Sequence, residues 1–155
     1  MIEIELDCLD WTAALPDVEQ LSRQAAEAAL QGAGREGDVV VLLTGDETIA
    51  ELNTQFRAKA GPTNVLSFPA AESARPHLGD VAVSFGVSSR EAAEQAKTLA
   101  DHLSHLVAHG VLHLVGYDHE DDAEAEAMEA LERRVLAGLG APDPYAPGAN
   151  AVDGD

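Results

Sequence analysis

The sequence predicts an α/β (α+β) chain: one layered domain with about four strands and several helices. Three observations predict it. Strand-like and helix-like hydrophobic patterns interleave along the chain instead of forming separate blocks. Glycine or proline closes each pattern, as at Gly32, Gly61-Pro62, Pro69, Gly116 and Gly138. With 155 residues the chain is long enough to close one core, and it contains no internal repeat.

The elements follow in order. Ile2, Ile4 and Leu6 alternate with Glu3, Glu5 and Asp7, the period of a half-buried strand. Asp17 and Gln20 have capping-box spacing, and Leu21, Ala25, Ala28 and Ala29 give the helix after them an apolar face. Gly32, Gly34 and Gly37 punctuate its end. Val39 to Leu43 is a continuous apolar run, as in a strand covered on both faces. Asp46 is placed to cap a short helix with Ile49, Leu52 and Phe56 on one side. A Gly61-Pro62 loop leads to a strand from Asn64 to Phe68. A second strand-like stretch runs from Leu78 to Phe85. Ser88 and Glu91 have capping-box spacing again, opening a helical pattern that reaches Leu114 with a break near Ala100. Gly116 ends it. Glu120, Asp121 and Asp122 favour a new helix N-terminus through the dipole, and Met128, Leu131, Val135 and Leu139 follow core spacing. The expected domain is therefore 1–140. Residues 141–155, rich in proline and glycine, are expected to be a disordered acidic tail.

Composition bounds the chemistry. Nine basic against 28 acidic residues give a formal charge of −19. That excludes tight, non-specific nucleic-acid binding and attraction to anionic membranes. The charge is uneven. Residues 1–52 hold 2 basic and 12 acidic groups, 53–113 hold 5 of each, and 114–155 hold 2 and 11. Arg57, Lys59, Arg75, Arg90 and Lys97 thus occupy the one neutral stretch, which reads either as chance beside solvated acidic helices or as the place where an anionic substrate meets the chain. A single cysteine excludes an internal disulfide framework and every multi-cysteine zinc site. No apolar run suits a membrane span, and the acidic start lacks the basic region of a secretory signal, so a cytoplasmic protein is expected.

The informative segment is HGVLHLVGYDH, residues 109–119. His109 and His113, four apart on a helix, lie one above the other and can reach one metal ion. A third ligand must return from beyond a turn. Gly116 permits that turn, and His119 follows it. Three imidazoles and a water make the open site of a catalytic zinc, which lowers the pKa of that water. Nickel, iron or copper also suit three imidazoles. The spacing is that of the metzincin proteases, but Gly110 stands where those enzymes carry a general-base glutamate. His105 shares the ligand face and reads as solvated or lying behind the ligands. Asp118 could orient an imidazole or cap the next helix. Arg57 would suit a phosphate clamp beside a metal, Lys59 less so, and Ser67 could donate to substrate. Phe56 and Phe68 read as core, with base stacking as the alternative.

Together with Glu51-Leu-Asn53 through Arg57, Pro62-Thr63-Asn64-Val65-Leu66-Ser67-Phe68-Pro69 and Leu78-Gly79-Asp80, the histidine segment resembles the YbeY family of bacterial endoribonucleases. The resemblance covers roughly residues 38–140. It implies a small mixed sheet, a zincin-like metal-binding helix and metal-dependent cleavage of single-stranded RNA in rRNA maturation and ribosome quality control. It implies metal ligation by His109, His113 and His119, with zinc expected, and a functional role for Arg57. Its partners would be rRNA and the ribosome, with no membrane and no disulfide-linked partner. Two positions depart from the family pattern: Lys59-Ala60, and Asn64 where an aspartate is usual, so no acid/base role carries over to Asn64. The rival readings are a metallopeptidase with the same ligand spacing and a non-catalytic ribosome-binding metal module.

Overall fold

The computed structural model describes residues 1–146. Four strands form one sheet: β1 (Ile2–Leu6), β2 (Asp38–Thr44), β3 (Val65–Pro69) and β4 (His77–Ser84). Their order is β1-β2-β4-β3. β1 and β4 run parallel to β2, and β3 pairs antiparallel at the edge of β4. The sheet is mixed, as expected.

Six helices surround it: α1 (Leu9–Ala14), α2 (Val18–Gly32), α3 (Asp46–Arg57), α4 (Phe85–Glu94), α5 (Leu99–Leu114) and α6 (Asp122–Gly138). One sheet face turns Val39, Val41, Leu43, Val65, Val81 and Val83 into the main core with Leu103, Leu106, Val107 and Val111 of α5. Alternate residues of the same strands point the other way. Leu66 and Ala82 there pack with Ile49 of α3, flanked by Leu42, Leu52 and Phe68. α5 thus lies between the sheet and an outer layer, and from His102 to Leu112 every residue is buried. Met128, Leu131 and Val135 of α6 join the same core.

Several local expectations need correction. α1 carried no periodic signal; its Trp11 is fully buried and donates to the Thr44 carbonyl at 3.0 Å. Asp46 does not cap α3. Gly45 holds that position, and the Asp46 carboxylate accepts from the Val87 amide (3.0 Å) and Arg90 (3.2 Å), tying α3 to α4. Asp17 sits at the N-cap of α2 without a side-chain cap bond. Ser88 and Glu91 form no capping box, because α4 has already begun at Phe85 and both are buried inside it. The helix break falls at Gln95 to Thr98, ahead of Ala100, and Thr98 caps α5 by accepting from Asp101. At the start of the tail expected from residue 141, Pro144 is buried and the Tyr145 hydroxyl donates to Glu132. Residues 147–155 lie outside the described residues. Among the described residues, no helix is long and apolar enough to cross a membrane, and Cys8 is a free thiol.

Candidate metal centre

The last two turns of α5 deliver His109 and His113. Their Nε2 atoms face each other at 3.1 Å. Gly116, with φ +105°, then reverses the chain. His119 returns with its ring 5.6 Å from that of His109 and 5.1 Å from that of His113. One ligand nitrogen from each of the three lies within 4.8 Å of the others. Asp118 accepts from the backbone N–H of His119 at 2.7 Å and so shapes the turn that carries it; Asp121 is the residue that caps α6.

The donor set fits a divalent cation. Tetrahedral nitrogens about 2.0–2.1 Å from zinc stand about 3.3 Å apart, near the separation found here. Burial, then repulsion from His109 and His119, pull the pKa of His113 from 6.5 to about 4, so its imidazole is neutral and its lone pair available. Behind His109 lies Glu132 of α6, 0% exposed. Its Oε1 is 2.8 Å from His109 Nδ1 and 3.1 Å from His105 Nε2. Burial pushes this carboxyl up, but the hydrogen bonds from His105 and His109 outweigh it and hold it at about 2. An ionised carboxylate only accepts, so both imidazoles donate to it. His109 therefore carries its proton on Nδ1 and turns a bare Nε2 toward His113. A carboxylate behind a ligating histidine fixes ring and tautomer in this way at metal sites generally.

Gly110 has a steric cause. A Cβ there would stand 2.6 Å from Val81 Cγ1 and 3.2 Å from Ser67 Oγ. The helix touches the sheet at that point, leaving no room for the glutamate that the protease frame requires.

Ser67 is 4% exposed and donates to the Gly110 carbonyl at 2.9 Å. That bond ties β3 to α5. Arg57 ends α3 and the exposed Lys59 follows it, on the opposite sheet face from α5. Phe68 packs edge-on to Phe56 at 5.6 Å, and one register step away, at the same end of the β3–β4 pair, a Cβ on Gly79 would meet Leu114, the neighbour of His113. Phe56, expected in the core, is 59% exposed.

Three site features went unread in the sequence. Glu132 falls on the apolar stripe with Met128, Leu131 and Val135, and a carboxylate on a core stripe was the available signal. Tyr145 carried none. A second buried carboxylate, Glu91, accepts from His102 (2.9 Å) and from Asn64 Nδ2 (3.0 Å). Asn64 is thereby a buried structural amide whose Oδ1 accepts from the Val65 N–H.

The family model described as "Endoribonuclease YbeY" matches residues 5–140. Endoribonuclease YbeY of Maricaulis maris is 62% identical over 109 residues, covering 70% of this chain and 68% of that protein. Endoribonuclease YbeY of Azorhizobium caulinodans is 50% identical over 154 residues, covering 92% and 97%. The solution structure of TM1509 from Thermotoga maritima superposes with a TM-score of 0.59 at 29% identity, covering 100% of this chain and 99% of that one. A family match over nearly the whole domain, joined to three histidines converging on one point, leads to one conclusion: the chain belongs to the YbeY endoribonuclease family.

Proposed function

We propose that this chain is a metal-dependent endoribonuclease that hydrolyses single-stranded RNA, with one zinc ion held by His109, His113 and His119. The observation that carries the reading is the facing pair of Nε2 atoms at 3.1 Å with Glu132 fixing the tautomer of His109. Bound there, a divalent ion polarises a phosphoryl oxygen and lowers the pKa of water toward neutrality. The chain supplies the rest. Glu132 holds the His109 ring so that no reorganisation accompanies ligation. Arg57 provides a planar fork of N–H donors for a phosphate whose charge grows in the transition state. Phe56 offers an exposed ring beside it on which an unpaired base can stack, and Lys59 an exposed cation.

The proposed catalytic domain is 1–140. The setting is rRNA maturation and ribosome quality control in the cytoplasm. With a formal charge of −19, affinity comes from the site and a docking partner such as the ribosome instead of from bulk attraction. Gly110 disfavours the peptidase alternative, since the packing at Val81 leaves no place for a base there.

The test is metal analysis of purified protein together with cleavage of single-stranded RNA by wild type and by His113→Ala. The expected result is about one metal per chain in wild type and loss of both metal and cleavage in the variant. Metal-free wild type with full cleavage refutes the reading.

A further inference from the structure

We propose that Tyr145 is a positioning residue for the three-histidine site, acting through Glu132. This rests on the metal-site reading above and extends it to a segment beyond the last helix. Glu132 is 0% exposed, so each of its oxygens needs a partner from the protein. Oε1 already receives His105 and His109. Oε2 receives the Tyr145 hydroxyl at 2.7 Å. Burial, and then the charge of Glu132, raise the phenol pKa well above its ordinary value, so the hydroxyl keeps its proton and donates. With that bond in place the carboxylate is anchored at both oxygens and its plane is held. Oε1 stays on His109 Nδ1, and the ring presents Nε2 toward His113.

Tyr145 is itself held on several sides. Its amide donates to Asp143 Oδ1 at 2.8 Å, and Asp143 also receives Arg133 Nε at 3.3 Å. The Arg133 guanidinium lies 5.4 Å over the phenol ring, and His105 meets that ring edge-on at 5.5 Å. Pro144 beside it is buried. The segment Asp143–Tyr145 therefore acts as a strap that locks the carboxylate from the side away from the metal ligands. Outer partners of ligating histidines typically hold 10–100-fold in metal affinity, and Tyr145 stands one bond further out.

The test measures Zn2+ affinity by chelator competition for wild type, Glu132→Gln, Tyr145→Phe and Asp143→Ala, at a temperature where all four retain full helix content. Phenylalanine keeps the ring and its packing while removing the donor. Asp143→Ala loosens the strap but keeps the phenol. The expected order of affinity loss is Glu132→Gln, then Tyr145→Phe at about 3–10-fold, then Asp143→Ala. Ring ¹⁵N–¹H correlations of the metal-free protein read the hydrogen bond itself: the His109 Nδ1–H signal shifts in Tyr145→Phe and shifts less in Asp143→Ala. Wild-type affinity and an unmoved signal in Tyr145→Phe overturn the proposal and leave the metal site standing. A loss in Tyr145→Phe no larger than in Asp143→Ala also overturns it. A wild type that binds no zinc overturns the metal-site reading and this proposal together.

Discussion

Replacing Gly110 by alanine sets two general effects against each other. In an ordinary helix interior the change is favourable by about 1 kcal/mol, through backbone entropy. Here the added Cβ would stand 2.6 Å from Val81 Cγ1 and 3.2 Å from both Val81 Cγ2 and Ser67 Oγ. Carbon atoms pack at about 3.5–4.0 Å, so the helix or strand must yield by about 1 Å. Neither does so easily: Val81 is 0% exposed on a strand paired on both sides, and Gly110 sits on the most buried helix. Overpacking of this kind costs about 1–3 kcal/mol, and loss of the Ser67 to Gly110 hydrogen bond adds about 1 kcal/mol. Subtracting the gain in propensity leaves a net loss of about 1–3 kcal/mol. For a domain of this size that lowers Tm by roughly 2–4 °C per kcal/mol. Thermal melts of wild type, Gly110→Ala, Val81→Ala and the double variant measure it. Removing the Val81 methyls makes room for the new Cβ, so the double variant loses less than the sum of the singles. A Gly110→Ala protein that melts higher than wild type, with additive behaviour in the double variant, refutes the steric account of why glycine stands here.

Two further outcomes follow from the site. Free His113 titrates near 6.5 and folded His113 near 4, so between those values the unfolded chain binds a proton that the folded one refuses. Its contribution is fully present above about pH 6.5 and is lost as pH falls toward 4. On the order of 1 kcal/mol of metal-free stability is at stake after solvent screening. Melts of chelator-treated wild type and His113→Gln at pH 7.5 and 5 separate this from the general charge effect: wild type loses more across the interval, and equal slopes count against the assigned shift. Arg57→Ala lowers RNA cleavage by about 10²–10³-fold, the scale of losing one transition-state donor, with metal content unchanged. Full activity in that variant removes Arg57 from the mechanism.

What was legible in the sequence was what depends on local periodicity. The alternation Ile2, Ile4, Leu6 and the unbroken run Val39 to Leu43 declare their strands because the faces they bury are set by the pleat. The three-histidine cluster was legible because helix geometry alone stacks residues 109 and 113, and glycine at 116 marks the return. Ser88 and Glu91 misled because S-x-x-E spacing is the same whether it opens a helix or lies inside one; burial decides, and burial is tertiary. Glu132 and Tyr145 join a histidine cluster 23 and 40 residues away along the chain, through packing of α6 and the strap on α5, which no window of sequence contains. Ser67 looked available at a strand end because its neighbour across the sheet face, Gly110, is 43 residues on.

The division of ligands between a buried helix and an exposed turn has a kinetic meaning. His109 is fixed in the core with its tautomer set, while His119 belongs to the exposed segment after Gly116. Tyr117 keeps the start of that segment on the core, so with an ion bound an outward swing of the part from Asp118 would open one coordination position by local opening, at a free energy far below that of global unfolding. Folding and loading are then separable events. Under the proposed ligation, the chain would reach its final packing first and acquire its ion afterwards, and the segment after Gly116 would set the lifetime of the bound ion.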